Sequence, residues 1–230
     1  MKEILCQSAF FGVTISLAAY GLGMWMKSRW KLAVFNPLLV STVVVIAALA
    51  VLRIDYDSYY EGARYLNYFL TPSTVCLAIP LYEELRLLGK NWKAVLAGVA
   101  SGVLASMTTV FLLCRLFRMD HTIYATLLPK SITTAIGVGV AEELGGLPTI
   151  TVAAIIVTGI FGNVAAEGIC RLFRIRESVA RGIAIGSASH AIGTAKAMEM
   201  GEVEGAMSSL SIVVSGLLTV LCAPVFAGVL

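Results

Sequence analysis

Two ionisable side chains, Lys130 and His190, lie inside apolar stretches of membrane length, and each is surrounded by serine, threonine and glycine. Ionisable groups at bilayer depth are costly and commonly mark a substrate or ion pathway. A lysine at the opening of a helix favours a carboxylate or another small anion, because the positive end of the helix dipole adds to the ammonium charge. The two patches therefore predict a polar cavity that binds a small organic anion.

The candidate binding residues come from these two segments, residues 129–137 and 187–194. The Lys130 ammonium and the amides around it would hold the carboxylate, and His190 would donate to a substrate oxygen or titrate near neutral pH. The spacing of Ser187, His190 and Thr194 predicts that they share one helical face. The predicted binding residues are Lys130, Ser131, Thr133, Thr134, Ser187, Ser189, His190, Gly193 and Thr194, and the predicted additional cavity lining is Thr74, Asn163 and Glu167.

A purely structural interpretation of the same residues stays open. Intramembrane serine and threonine often bond to their own helix or to a neighbour, and small residues allow helices to pack closely. His190 could be a packing histidine, Lys130 a structural counter-ion, and Asn163 with Glu167 an interhelical pair. The recurrence of a titratable group in two matching patches favours a shared functional explanation.

The composition predicts an integral membrane protein of the all-α class. Hydrophobic residues make up 58% of the chain, charged residues 13%, and the mean hydropathy is +0.88. Because one span takes about 20 apolar residues, 230 residues accommodate seven or eight transmembrane segments and no soluble domain. We expect a multi-pass membrane protein. The basic loops carry no nucleic-acid footprint, and the five scattered cysteines and two histidines predict no disulfide, metal site or cofactor.

The apolar stretches set the expected topology. The stretch from Tyr68 to Tyr82 is short and contains Pro72 and Pro80, which predicts a broken or re-entrant helix. With that element re-entrant, the basic loops at 115–118 and 171–181 fall on one side, and the positive-inside rule favours an outside amino terminus and an inside carboxyl terminus. The full-length stretches are Leu5 to Met26, Pro37 to Leu52, Trp92 to Phe117, Thr122 to Leu144, Thr149 to Phe173, Gly182 to Met200 and Ala206 to Leu230.

An internal repeat with an offset of 56 residues connects the two polar patches. Ser131 aligns with Ser187, and the run of residues 114–118, Cys-Arg-Leu-Phe-Arg, recurs at 170–174. Repeats of broken helices are typical of secondary transporters. We expect one membrane domain over residues 1–230, with repeat-like units at about 69–119, 125–175 and 181–230, related either in parallel or by inversion.

An enzymatic function is not expected. Glu83 and Glu84 precede Arg86 as paired glutamates precede an arginine in some membrane proteases, but the arginine comes too early. His121 and His190 do not form a paired metal-ligand set for activating water. No serine or cysteine stands recognisably beside a base.

The chain resembles the LrgB/CidB family of bacterial antiholin-like membrane proteins along nearly its whole length. The resemblance lies in four runs, at residues 36–39, 74–82, 129–133 and 189–195, and the chain departs from the family at Ala135, where proline is frequent. It implies a place in the bacterial plasma (inner) membrane and control of murein hydrolase activity and cell lysis beside a smaller LrgA/CidA-type partner. Relatives are also described as carriers of small carboxylates, among them a plastid glycolate/glycerate transporter.

These observations predict a carrier for small carboxylates such as pyruvate, glycolate or glycerate, working by alternating access and linked to the control of lysis. The alternative is a holin- or antiholin-type pore or regulatory subunit that modulates murein hydrolases. The expected partners are a small organic anion and an LrgA/CidA-type protein. Small-residue faces at Gly98, Gly102, Gly159 and Gly162 would also permit a homo-oligomer.

Overall fold

The computed structural model describes residues 9–30, 35–69 and 85–230, together with positions 72, 75, 76, 79 and 82. Within these residues the structure contains nine α-helices and no strand. The contacts divide the chain into two compact units, residues 1–76 and 77–230. The helices are α1 Ala9–Trp30, α2 Pro37–Leu52, α3 Tyr56–Asn67, α4 Leu85–Leu116, α5 His121–Leu127, α6 Thr134–Glu143, α7 Pro148–Leu172, α8 Ser178–Met200 and α9 Glu202–Ala227.

The all-α class predicted from composition is confirmed for the described residues. Three helices are long and apolar enough to cross a membrane, and α2 is apolar but shorter. The total of seven or eight spans and the extent of a single membrane domain stay predictions. The three long apolar segments are Gly89–Leu116, Pro148–Leu172 and Glu202–Ala227.

In the first unit, α1 packs against α2 and α3, and the hydroxyls of Ser16 and Tyr59 lie 2.8 Å apart. The side chain of Asn36 caps α2 by accepting from the amide of Leu38 at 2.9 Å, so the helix begins at the proline that follows Asn36. The predicted re-entrant stretch at 68–82 falls mainly outside the described residues, and Thr74 is among those not described.

The apolar stretch predicted from Thr122 to Leu144 is two short helices, α5 and α6, joined by the non-helical residues 128–133. We call α5, these residues and α6 hairpin 1. The rings of Tyr124 and Phe111 make an edge contact, and Ser131 bonds Ser106, so α5 leads back along α4 in the opposite direction. Hairpin 1 thus enters the fold from the carboxyl end of α4.

Helix α7 starts beside hairpin 1. The Thr151 hydroxyl donates to the carbonyl of Thr126 at 3.0 Å, and a turn further along α7 Ile155 packs against Gly137 at the start of α6. The stretch of α7 from 151 to 155 therefore runs in the same direction as α5 and opposite to α4. Helices α4 and α7 are antiparallel.

Helix α8 also folds back on itself, and we call it hairpin 2. His190 has φ 43° and ψ −144°, which breaks the helix into residues 178–189 and 191–200. Both halves lie along the first turns of α9, because Ser208 touches Gly186 on one half and bonds Thr194 on the other at 2.7 Å. The predicted continuous helical face of Ser187, His190 and Thr194 is therefore wrong, since the helical register is interrupted at its middle residue.

The two halves of hairpin 2 follow different long helices. The first half runs parallel to α4, where Gly98 faces Ile183 and Gly102 faces Ser187. The second half runs parallel to α7, because Asn163 donates to the carbonyl of Ile192 at 2.6 Å and Glu167 pairs with Lys196 one turn later. Hairpin 2 accordingly enters from the carboxyl end of α7, the end opposite to hairpin 1.

The 56-residue repeat of the sequence has a counterpart in the backbone. Arg118 and Arg174 both have positive φ, 52° and 55°, and end α4 and α7 with the same turn. In each turn the amide after the arginine donates to a cysteine carbonyl, Met119 to Cys114 at 2.9 Å and Ile175 to Cys170 at 2.8 Å.

Each recurring unit is thus a long helix followed by a hairpin, and the two units run in opposite directions. Because α4 and α7 are antiparallel, the basic loops at 115–118 and 171–181, each at the carboxyl end of its helix, lie at opposite ends of the second compact unit. The prediction from the sequence that these two loops lie on one side is therefore wrong.

Candidate functional site

A cavity of about 890 Å³ lies where the tips of both hairpins meet the middle of α4 and α7. Hairpin 1 contributes Lys130 and Ser131, and hairpin 2 contributes its first half up to Ser189. The convergence of the two polar patches follows from the inverted arrangement, because hairpins entering from opposite ends meet in the centre. The lining residues from the long helices include Gly98, Ser101, Gly102, Ser106, Thr109, Thr158, Phe161 and Gly162.

Lys130 supplies the cation of this cavity. Its Nζ donates to Ser131 Oγ at 3.0 Å and to Ser106 Oγ at 3.3 Å, and the two hydroxyls lie 2.9 Å apart. Among the described residues no carboxylate lies within ion-pair distance of Lys130. A half-buried ammonium whose described side-chain partners are hydroxyl dipoles favours an anion, because charge neutralisation is worth more where water is scarce.

Ser187 and Ser189 line the cavity from hairpin 2, and each is 4% exposed. Ser187 donates to the carbonyl of Ile183 at 2.7 Å and stands against Gly102, while Ser189 is seated directly on Gly162. The oxygen of a hydroxyl that donates within its helix can still accept a hydrogen bond. Both serines therefore remain able to contribute to a polar wall.

His190 does not line this cavity. Its Nε2 lies 3.0 Å from the carbonyl of Ile155, and its ring packs against Gly159. The imidazole is 3% exposed and carries the proton of this bond on Nε2, since a carbonyl can only accept. In this conformation His190 holds the tip of hairpin 2 against α7.

The remaining predicted binding residues stand next to the cavity rather than in its lining. Thr133 is the first residue before α6, and its carbonyl accepts from the amide of Gly137 at 2.8 Å. Thr134 begins α6. Gly193 is buried against Ser189, and Thr194 donates to the carbonyl of His190 at 2.9 Å.

The predicted lining residues Asn163 and Glu167 also lie outside the cavity lining. Asn163 is buried and bonded to the second half of hairpin 2. Glu167 pairs with Lys196 at 2.7 Å and with Arg171 at 3.2 Å, and it borders a smaller cavity of about 380 Å³. The structural interpretation of an interhelical contact fits both residues in this conformation.

The sequence interpretation missed Ser106, which bonds both residues of hairpin 1 in the cavity. The sequence feature that could have identified Ser106 is its spacing from Gly98 and Gly102, which places all three on one face of an apolar helix. The glycines of α4 and α7 were identified only as contact faces. Within this chain they accept hairpin 2: Gly98 faces Ile183, Gly102 faces Ser187, Gly159 faces His190 and Gly162 faces Ser189.

The described residues that line the cavity supply one cation, Lys130, one carboxylate, Glu177, several hydroxyls and many apolar side chains. Across the part of the chain that the structure describes, no three histidine, cysteine, aspartate or glutamate side chains are grouped so that they could hold a metal ion.

Comparison with known proteins places this chain in a family. The model of the LrgB-like family matches residues 16–229. Antiholin-like protein LrgB of Bacillus subtilis strain 168 is 36% identical over 220 residues, 95% of each chain. The proteins of that name from Bacillus cereus strain B4264 and Bacillus anthracis strain CDC 684 are 35% identical over 218 residues, 94% of this chain and 95% of theirs. No solved structure matches the chain significantly. The chain belongs to the LrgB-like family.

Proposed function

We propose that this protein is a membrane carrier for small monocarboxylates of the pyruvate and glycolate type. The observation that carries the proposal is the ammonium of Lys130, which faces a cavity of about 890 Å³ and has only hydroxyl partners among the described side chains. A carboxylate would complete this site, because an ammonium with two adjacent hydroxyls offers donors to both of its oxygens. The carboxylate would accept hydrogen bonds from hydroxyls of the lining, which are those of Ser106, Ser131, Ser187 and Ser189.

The inverted arrangement supports alternating access as the mechanism. Two units of opposite direction, with broken helices meeting at a central site, form the usual construction of secondary transporters. Hairpin 2 rests on glycines of both α4 and α7 and is therefore the element most suited to sliding or rocking. His190, Gly193, Thr194, Thr133 and Thr134 then act by shaping the hairpin tips, and they reach the anion only if those tips rearrange.

Uptake into proteoliposomes tests the proposal. Purified protein should take up labelled pyruvate or glycolate in a saturable manner, and Lys130→Met should weaken binding about ten- to a hundredfold, as for a lost hydrogen bond to a charged group. Lys130→Arg should retain part of the uptake because the charge remains. Lys90→Ala, an exposed lysine of α4 outside the cavity lining, is the matched control.

A second candidate function is a pore or regulatory subunit that modulates murein hydrolases beside an LrgA/CidA-type partner in the plasma membrane. The names of the relatives favour it, since each is called an antiholin-like protein. Leakage that rises in proportion to solute concentration and is unaffected by Lys130→Met would support the pore and reject the carrier. Saturable uptake that is lost in Lys130→Met would support the carrier and reject the pore. The control of lysis would then be a consequence of the transport of weak acids.

A further inference from the structure

The cavity extends far beyond the anion-binding end. It follows one face of α4 from Asn91 through Gly98 to Ser106, a distance of about 22 Å at 1.5 Å per residue. Its volume of about 890 Å³ lies near the top of the usual range for sites that hold drug-sized molecules, about 300–1,000 Å³.

The polarity of the walls changes along this length. Around Lys130 the lining is rich in hydroxyls, from Ser106 and Thr109 on α4, Thr158 on α7 and Ser189 on hairpin 2. Two to three helical turns away along α4, the walls become apolar. These apolar walls are Ala94 and Gly98 on α4, Ile169 on α7, and Val179, Ala180, Ile183 and Ala184 on hairpin 2.

The far end of the cavity is polar again. Asn91 at the start of α4 and Glu177 immediately before α8 line this mouth. A carboxylate at the mouth disfavours a second anionic group on the ligand, because like charges repel. The order along the cavity is therefore a cationic head site, an apolar channel and an acidic rim.

We propose that the site prefers monocarboxylates that carry an aliphatic tail, with the carboxylate and any 2-oxo or 2-hydroxyl oxygen at Lys130 and the tail along the groove toward Ala184 and Gly98. This inference rests on the proposed carrier function and refines its substrate class. The side chain of Ile183 packs directly on Gly98, whose missing Cβ permits this contact, and both residues line the groove. Dicarboxylates of similar length would be poor ligands because their second charge would lie in the apolar part of the groove.

A series of 2-oxo acids provides the test, because pyruvate, 2-oxobutyrate, 2-oxopentanoate and 2-oxohexanoate share one head group and differ only in methylenes. Inhibition of labelled pyruvate uptake in proteoliposomes should strengthen about two- to fourfold for each added methylene, as for apolar surface leaving water. 2-Oxoglutarate, of comparable length with a second carboxylate, should inhibit far less than 2-oxopentanoate. Hexylammonium, with a tail but the opposite charge, controls for non-specific effects on the bilayer.

Ala184→Leu should reduce the gain, that is, the increase in inhibition with tail length, because the larger side chain fills the groove. Ala97→Leu adds the same side chain to an exposed position of α4 outside the cavity and should leave the gain unchanged. Thermal stabilisation of the purified protein by 2-oxohexanoate and by pyruvate gives a second measurement of the same preference that does not depend on transport.

The outcomes separate this inference from the proposed function. Saturable uptake that depends on Lys130, combined with inhibition that is flat or weaker for longer acids, overturns the tail preference and leaves the carrier intact. Equal inhibition by hexylammonium and 2-oxohexanoate also overturns the preference. Absence of any saturable uptake, together with no stabilisation by any of the acids, rejects both.

Discussion

Nε2 of His190 lies 3.0 Å from the backbone carbonyl of Ile155, while the side chain of Ile155 packs against Gly137 of the other hairpin. One residue of α7 therefore contacts both hairpins. The ring of His190 fixes the tip of hairpin 2 although its backbone has φ 43°, a conformation that favours glycine.

Two substitutions of His190 should distinguish the stabilisation by its ring hydrogen bond from the destabilisation by its strained backbone. His190→Ala should destabilise the fold by about 1–3 kcal/mol, because it removes a buried hydrogen bond and keeps the strained backbone. His190→Gly also loses the bond but relieves the strain, so it should be less destabilising than His190→Ala by about 1 kcal/mol. Chemical unfolding in detergent measures both, and equal stability of the two variants would contradict the strain at this residue.

The hydroxyl pair of Thr194 and Ser208 should link the second half of hairpin 2 to α9. Both side chains are fully buried, and their oxygens lie 2.7 Å apart. Thr194→Val should cost about 1–3 kcal/mol, because it keeps the shape and leaves the Ser208 hydroxyl without this partner. In a double-mutant cycle with Ser208→Ala, the combined loss should be smaller than the sum of the single losses by at least about 0.5 kcal/mol. Strict additivity would show that the pair is not coupled.

The glycines that accept hairpin 2 should be intolerant of a methyl group. A Cβ on Gly162 would overlap the side chain of Ser189, so Gly162→Ala should destabilise the protein by about 1–3 kcal/mol through overpacking. Gly168 lies on the same helix, and a Cβ there would meet nothing within 4 Å. Gly168→Ala should be neutral or stabilising by up to about 1 kcal/mol, and similar losses in both variants would argue against the close contact at Gly162.

A cross-link should capture the contact between α4 and hairpin 1. Ser106 Oγ and Ser131 Oγ lie 2.9 Å apart, so Ser106→Cys with Ser131→Cys, in a chain otherwise lacking cysteine, should form a disulfide under mild oxidation. Ala97→Cys with Ser131→Cys is the control, because residue 97 lies about 13 Å from residue 106 toward the amino end of α4. Mass spectrometry of the digested protein detects the bond, and an equal yield in both pairs would contradict the predicted register.

The inverted arrangement also changes the expected orientation. In the second compact unit, the amino end of α4 and the carboxyl end of α7 lie at the same end, with eight described basic residues against two at the carboxyl end of α4. The positive-inside rule therefore predicts that position 174 faces the cytoplasm and position 118 the outside. The eight are Arg86, Lys90, Lys93, Arg171, Arg174, Arg176, Arg181 and Lys196, and the two are Arg115 and Arg118.

Labelling of Arg118→Cys and Arg174→Cys with an impermeant maleimide on intact cells distinguishes the two sides. The positions are well matched because both residues occupy the same turn after a long helix. Reaction at 118 alone is the expected result. Labelling of both or of neither would contradict opposite sides, and labelling of 174 alone would reverse the orientation.

The sequence by itself determined the structural class of the protein and the segments that carry its polar candidate residues. Its composition predicts an all-α membrane protein, because so few charges cannot cover a soluble surface and the apolar stretches have the length of helical spans. The patch around Lys130 predicts the first helix break, since Pro129 and the hydroxyl residues after it interrupt a helix and supply alternative hydrogen bonds. The patch around His190 also contains a break, although its spacing predicts a continuous face. The 56-residue repeat likewise has a counterpart in the matched turns at Arg118 and Arg174.

Only the tertiary structure decided which polar groups share the cavity and in which direction each unit runs. Spacing along the sequence predicts a common face only while a helix is continuous, and the positive φ of His190 interrupts it. Lys130 and Ser131 therefore meet Ser106 and Ser187 in the cavity, whereas His190 bonds Ile155. The inverted relation likewise depends on contacts between distant residues, such as Gly102 with Ser187, because a hairpin and a full span are equally apolar in sequence and differ only in where the chain returns.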